Sequence, residues 1–198
     1  MLTIDWLDLM PSKRAIEELG YGTISKLFLQ FDRPYWYEDG PWPRLNNGFI
    51  VTDLEIQTLW DTSFGQAGSH GLLVDYTSGD RGAAYAPPTP YSTSDDAPIL
   101  QQYAQNCLQQ LEAVFPGIRA HYTGKAALSY PTGDPFLLGS YSCWRVGQYT
   151  RFAGSEGVRQ GPIHFAGEHC SIDFQGFMEG AAREGARAAK EIVQEVKS

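Results

Sequence analysis

The sequence predicts a mixed α/β fold of the α+β kind: a mixed, largely antiparallel sheet with covering helices, followed by a C-terminal strand and helix. Three observations carry this. Short apolar runs separated by turn residues recur between residues 24 and 77. One long amphipathic stretch begins at Pro98. The chain then ends on an apolar run, a Gly-acid pair and a helical stretch rich in small residues. The order of sheet, helix, return and strand–helix is not that of a self-contained doubly wound fold.

Taken in order, residues 12–19 form a short helix, with Ser12 expected as its N-cap after Pro11 and Gly20 as its stop. Ile24 to Phe31 reads as a strand, with Leu27, Leu29 and Phe31 on one face and Ile24 and Phe28 on the other. Pro34 ends it, because proline cannot continue a central strand. Residues 37–48 are rich in Pro, Gly and Asn and read as loop. Residues 48–52, 57–61 and 71–77 are three further short strands. Residues 78–97, with Pro87, Pro88, Pro90 and two adjacent aspartates, form a long loop that could cover a site. From Pro98 a helix runs to about Phe115. Its apolar stripe is Leu100, Tyr103, Leu108, Leu111 and Phe115, and Pro116-Gly117 stops it. Strand and turn return after Ala120, with Tyr130 to Pro135 as a turn-rich stretch. Ile163 to Ala166 is expected as a buried strand. From Gly176 the pattern is helical almost to the end, with Ala181, Gly185, Ala188, Ala189 and Ile192 on one nearly bare side that a flat partner can approach.

Composition narrows the function classes. A chain of 198 residues can bury one sizeable core or build two small lobes. A net charge of −8 argues against a nucleic-acid surface and mildly favours cationic small molecules. No apolar run reaches the length of a membrane span, and the N-terminal residues do not pattern as a signal peptide, so a cytoplasmic location is expected. Cys107, Cys143 and Cys170 are too few and scattered for a disulfide framework or a zinc site. His70, His121, His164 and His169 lack metal-ligand spacing and are expected to be structural.

The chemistry-bearing stretch is Gly161 to Gly180. A strand, a Gly-acid pair and a Gly-started helix suit a ligand with both phosphate and a polar ring, because helix N-termini present unpaired amides at their positive end. Alone, the pattern is equally consistent with plain packing.

Four blocks then resemble one family. Tyr21-Gly-Thr-Ile-Ser-Lys-Leu with Arg33-Pro-Tyr-Trp, Asp134-Pro-Phe-Leu-Leu-Gly-Ser-Tyr-Ser, Phe165-Ala-Gly-Glu and Gln175-Gly-Phe-Met-Glu-Gly-Ala occur in the order seen in flavin-containing amine oxidases. That family includes monoamine, polyamine and L-amino-acid oxidases. The resemblance is to the C-terminal half, since no G-x-G-x-x-G fingerprint for the ADP part of FAD is present. It implies a substrate-binding portion over residues 1–150 and an FAD-contacting strand–helix over 151–198. An N-terminal FAD-binding half or subunit is implied as a partner, together with an amine substrate and non-covalent FAD. The reaction implied for the whole enzyme is oxidation of a C–N bond to an imine, with oxygen reduced to peroxide. Two alternatives remain: a portion of an L-amino-acid oxidase, or an orphan fragment that no longer binds flavin.

Residue by residue, the resemblance implies that Gly167 and Glu168 face the ribityl and pyrophosphate region. The Met178 backbone N–H, after Gly176 and Phe177, would meet the flavin pyrimidine edge. Tyr141 and Phe177 correspond to the two aromatic walls before the flavin, and Trp144 and Tyr130 are further lining candidates. Ser140 stands where some members carry a cysteine bonded to the flavin. No side-chain nucleophile or acid–base pair stands out, so no catalytic residue is assigned. Cys170 is expected to pack, Lys26 to reach solvent or an acid, and Asp61 and Asp75 to be solvated strand-end acids. A lobe with uncovered apolar faces is expected to self-associate, as a homo-oligomer.

Overall fold

In the computed structural model, residues 10–37 and 47–197 are described. Most of the loop expected over 37–48, and the extreme N-terminus, lie outside these residues. The chain divides into two compact units, Thr23–Ser140 and a second built from residues 1–22 together with Tyr141–Ser198. The sequence-based boundary at residue 150 differs from this division. The short strand at Gly20–Tyr21 pairs with Ser142–Cys143, and this draws the N-terminal helix into the C-terminal unit.

The Thr23–Ser140 unit is a sheet backed by one helix. In chain order the first strands of the molecule are β1 (Gly20–Tyr21, in the other unit) and β2 (Ser25–Phe31). Then come β3 (Phe49–Val51), β4 (Thr58–Asp61), β5 (Gly71–Thr77), β6 (Tyr91–Thr93) and β7 (Tyr122–Ser129). The sheet order is β3-β4-β5-β2-β7-β6, and every neighbouring pair is antiparallel. Side chains alternate across a strand, so Leu27, Leu29 and Phe31 share one face with Leu59, Leu73 and Leu128, and all six are buried. The expected helix is present as Ile99–Val114 and turns Leu100, Ala104, Cys107, Leu108 and Leu111 onto that face. Pro98 stands at its N-cap, since a ring without an N–H suits a helix start.

The expected long loop over 78–97 is corrected in part. It contains the helix Gly79–Ala83 and the edge strand β6. Gly82 is required there, because a Cβ would sit 2.1 Å from the Thr23 carbonyl oxygen. Lys26 points outward, its ammonium 5.8 Å from the centre of the Tyr76 ring. Asp61 behaves as a turn acid, accepting from the Ser63 N–H at 2.6 Å and the Trp36 indole at 3.2 Å. Asp75 departs from its expectation: it is buried at 4% exposure on the helix side of the sheet. The register places it between Leu73 and Thr77, on the inward face.

The helices Gly79–Ala83 and Ile99–Val114 of the sheet unit are α2 and α3, and in the other unit helix α1 is Met10–Glu18. Strand β8 (Ser142–Cys143), helix α4 (Gln148–Phe152) and helix α5 (Met178–Val196) complete it. Because α1 begins at Met10, Ser12 is inside the helix and is no N-cap. Its hydroxyl bonds instead to the carbonyls of Ser155 (3.0 Å) and Val158 (3.2 Å).

The buried strand expected at Ile163–Ala166 does not form. Only Ile163 bridges, to Gln160, and Ala166 is exposed. An apolar run becomes a strand only beside another backbone, and this segment is held by side chains of α5 instead. Arg187 donates to the Phe165 carbonyl at 2.6 Å, and the His164 ring meets Glu191 at 3.1 Å. His164 is therefore structural, as expected.

Candidate flavin-facing site

The loop before α5 reverses direction at Gly176, where φ is +82°, a conformation in which a Cβ is strained. A Cβ there would be in van der Waals contact with the Tyr141 ring at 3.4 Å, so Tyr141 lies beside this turn. Gly180, one turn into α5, is closer still to other chain: a Cβ would meet the Phe174 carbonyl oxygen at 2.2 Å. The two glycines let the loop fold tightly back over the helix start.

Glu168 locks that arrangement. Its carboxylate accepts from the Ser142 N–H (2.8 Å), the Ser142 hydroxyl (2.7 Å) and the Gly176 N–H (2.7 Å). Gln175 adds a bond from its amide to the Ser142 hydroxyl at 3.0 Å. Charge-assisted bonds of this kind are about twice as strong as neutral ones. The residue after Tyr141 and the residue before Phe177 are thus tied to one carboxylate. Its charge, after burial, also pushes the Tyr21 phenol up. Gly167 (φ +151°) precedes the clamp, and a side chain at that position would strike the His169 ring.

Around this clamp the structure brings together Gly167, Glu168, Gly176, Phe177, Met178 and Tyr141. Phe177 and Met178 project outward, at 67% and 91% exposure. Tyr141 is partly exposed, and its carbonyl accepts from the Gly22 N–H at 2.8 Å. Trp144 packs edge-on against Tyr149, 5.5 Å between centroids, and lines a cavity of about 160 Å³ with Cys170, Ile172 and Gln175. Tyr130 belongs to the sheet unit, where its hydroxyl donates to the Ala83 carbonyl at 3.2 Å. Cys170 packs as expected, since burial pushes its thiol to about 11 and keeps it protonated at neutral pH. Ser142 and Gln175 stand in two of the matched blocks, but their bonding around Glu168 is not legible there, because it joins residues distant in the chain.

A family model described as flavin containing amine oxidoreductase matches residues 7–193. The chain belongs to this family. It is 37% identical over 239 residues to an L-glutamate oxidase precursor of Streptomyces viridosporus, covering 91% of this chain and 35% of the relative. It is 25% identical to an L-amino-acid oxidase of Siganus canaliculatus, covering 94% and 34%. Among solved structures it resembles cyclohexylamine oxidase from Brevibacterium oxydans, with TM-score 0.77, 19% identity, and coverage of 96% of this chain and 39% of that one. The chain spans about a third of the length of the curated relatives it matches. The mixed α/β architecture with its antiparallel sheet matches part of the fold of that cyclohexylamine oxidase.

FAD is the cofactor the family implies. The local geometry fits one edge of it. A 19-residue helix opens at Met178 without a side-chain cap, leaving first-turn amides for an acceptor. The Ser140 hydroxyl is buried and lacks a hydrogen-bond partner. Among the described residues no helix is long and apolar enough to cross a membrane, and no cluster suits a metal ion.

Proposed function

We propose that this chain is the substrate-binding and FAD-contacting part of an FAD-dependent amine oxidase. The supporting observation is the Glu168 clamp, which fixes Tyr141 and Phe177 beside the open N-terminus of α5. In this reading the Met178 N–H receives the pyrimidine edge of the flavin, and the helix dipole favours negative charge there. Gly167 and Glu168 form the cofactor-facing edge, the carboxylate acting by holding both aromatic walls in place. Tyr141 and Phe177 guide an amine by their π faces and exclude water. Trp144 extends this lining, and Tyr130 is a lining residue of the sheet unit.

The sheet unit is the substrate portion. Its outward face, opposite the packed one, carries Phe28, Trp60 and Tyr76, with the Trp60 and Tyr76 rings 4.9 Å apart. Ser140 has a hydroxyl where a thioether to flavin requires sulfur, so the cofactor is held non-covalently. When bound, FAD supplies two-electron acceptance from the carbon bearing the amine, with oxygen as final acceptor and peroxide as product. The dinucleotide-binding portion comes from a further N-terminal segment or subunit, which also covers the bare side of α5.

An amino-acid substrate is the second reading, favoured by the sequence relatives named as L-amino-acid and L-glutamate oxidases. The test is co-expression with a dinucleotide-binding half from a relative, followed by visible spectroscopy of the purified complex. Flavin absorption bands are expected, with peroxide release on adding amines. A folded complex without flavin overturns the reading. Turnover of amino acids alone would replace the amine class by the amino-acid class.

A further inference from the structure

A cavity of about 310 Å³ lies inside the sheet unit, between β5, α2 and α3 on the packed face of the sheet. Its lining includes Asp75, Tyr85, Tyr103 and Cys107, with Glu55 and Arg81 also on its wall. The volume is at the lower end of those that hold small ligands. Asp75 is the feature that packing leaves unexplained. One carboxylate oxygen accepts from the Thr77 hydroxyl at 2.9 Å; Oδ1 is buried and reaches no donor at hydrogen-bond geometry, with the Tyr85 phenol beside the carboxylate. Buried polar atoms are almost always paired, so an orphaned carboxylate oxygen points to an absent donor.

The surroundings define that donor. Tyr85 and Tyr103 pack edge to face, 4.9 Å between centroids, and give the cavity aromatic walls. Tyr103 accepts from the Ala86 N–H at 3.1 Å, which fixes its ring. The Arg81 guanidinium donates to the carbonyls of Leu54 (2.8 Å) and Glu55 (3.0 Å). No ion pair between Arg81 and Asp75 is present among the described residues. Glu55 contributes a second acid, so the lining has two acids to one committed base. Among the described residues no group of His, Cys, Asp and Glu suits a metal ion.

We propose that this cavity binds a small primary ammonium ion, with Asp75 as its counter-ion and Tyr85 and Tyr103 as its walls. An ammonium supplies both the charge and the N–H donor that Oδ1 lacks, and the tyrosine rings favour a cation with a short apolar tail. The site lies wholly within Thr23–Ser140, so it stands whether or not the chain takes up flavin. Burial raises the Asp75 pKa to about 6, against the pull of Thr77 and Tyr85, so binding weakens as pH falls through that value.

The test is calorimetric titration of the full chain with n-butylammonium chloride, and with 1-pentanol as the uncharged analogue. Saturable binding of butylammonium is expected at neutral pH, with at least tenfold weaker binding by Asp75→Asn and weaker binding at pH 5. Asn106→Phe, at an exposed helix position on the cavity lining, should block entry while leaving the acid and the fold intact, as checked by circular dichroism. Equal affinity in wild type and both variants would overturn the proposal by placing the amine elsewhere. Absence of saturable binding at millimolar concentration, or equal binding of pentanol, would also overturn it.

Discussion

The two units are held together by different forces. In Thr23–Ser140 the hydrophobic cluster is continuous from Leu27 to Leu128, and sheet and helix bury it between them. In the other unit the buried apolar side chains among the described residues are Ala15, Phe152 and Ala188. Polar side chains link the segments there. Gln148 accepts from the N–H groups of Gly20 and Arg145 and donates to the Glu18 carbonyl. Glu168 joins β8 to the loop before α5, and Arg187 joins α5 to Phe165. Meanwhile Ile172, Met178, Val193 and Val196 remain exposed. A hydrophobic core stabilises in proportion to area removed from water, whereas a hydrogen bond exchanged with water contributes little net. The sheet unit can therefore sustain a cavity and a buried acid. The other unit holds its geometry through directed bonds and leaves apolar side chains exposed.

The largest effect should come from the core. Leu108→Ala empties a fully packed position on α3 and is expected to cost about 2–5 kcal/mol, read by chemical denaturation. An equal loss from Ile172→Ala, an exposed position, would show that the contrast between the units is misdrawn.

Asp75 gives the next effect, with a defined sign. Its folded pKa, about 6, lies above the unfolded value of 3.8, so the folded state favours the protonated form. Stability from this group is complete below the unfolded value, falls as pH rises from about 4 to 6, and stays low above. The shift corresponds to roughly 3 kcal/mol. The difference in unfolding free energy between wild type and Asp75→Asn should change by about that amount across this window. A difference independent of pH would mean that Asp75 is solvated.

Glu168→Gln removes the charge that holds three donors and should cost ~1–3 kcal/mol. The loss should be local, with faster hydrogen exchange at Ser142 and Gly176 and unchanged protection in β2 and β5. Protection lost equally in both units would show that the polar clamp supports the whole chain.

The smallest effects discriminate two glycines in α5. Gly185 has open space around it, so Gly185→Ala should stabilise by roughly 0.5–1 kcal/mol through helix propensity. Gly180→Ala should destabilise instead, because its Cβ would meet backbone at 2.2 Å. Thermal melts that move in the same direction for both would refute the close approach of Phe174.

Most of the sheet unit was legible in the sequence because its strands and helix advertise themselves by period. Residues 25–31, 71–77 and 99–114 carry alternating or amphipathic patterns that burial then honours. Helix α5 was legible for the same reason, and the family by four ordered blocks. Ile163–Ala166 misled, because apolarity names a buried strand without naming the neighbour it must pair with. The roles of Ser142 and Gln175, the inward turn of Asp75 and the cavity beside it depend on residues far apart in the chain. The sequence by itself determined the local elements and the chemistry available at Gly161–Gly180. Only the tertiary structure decided which carboxylate is fully hydrogen-bonded and which is buried with one oxygen less well served, because hydrogen bonding and desolvation are set by what packs around a group.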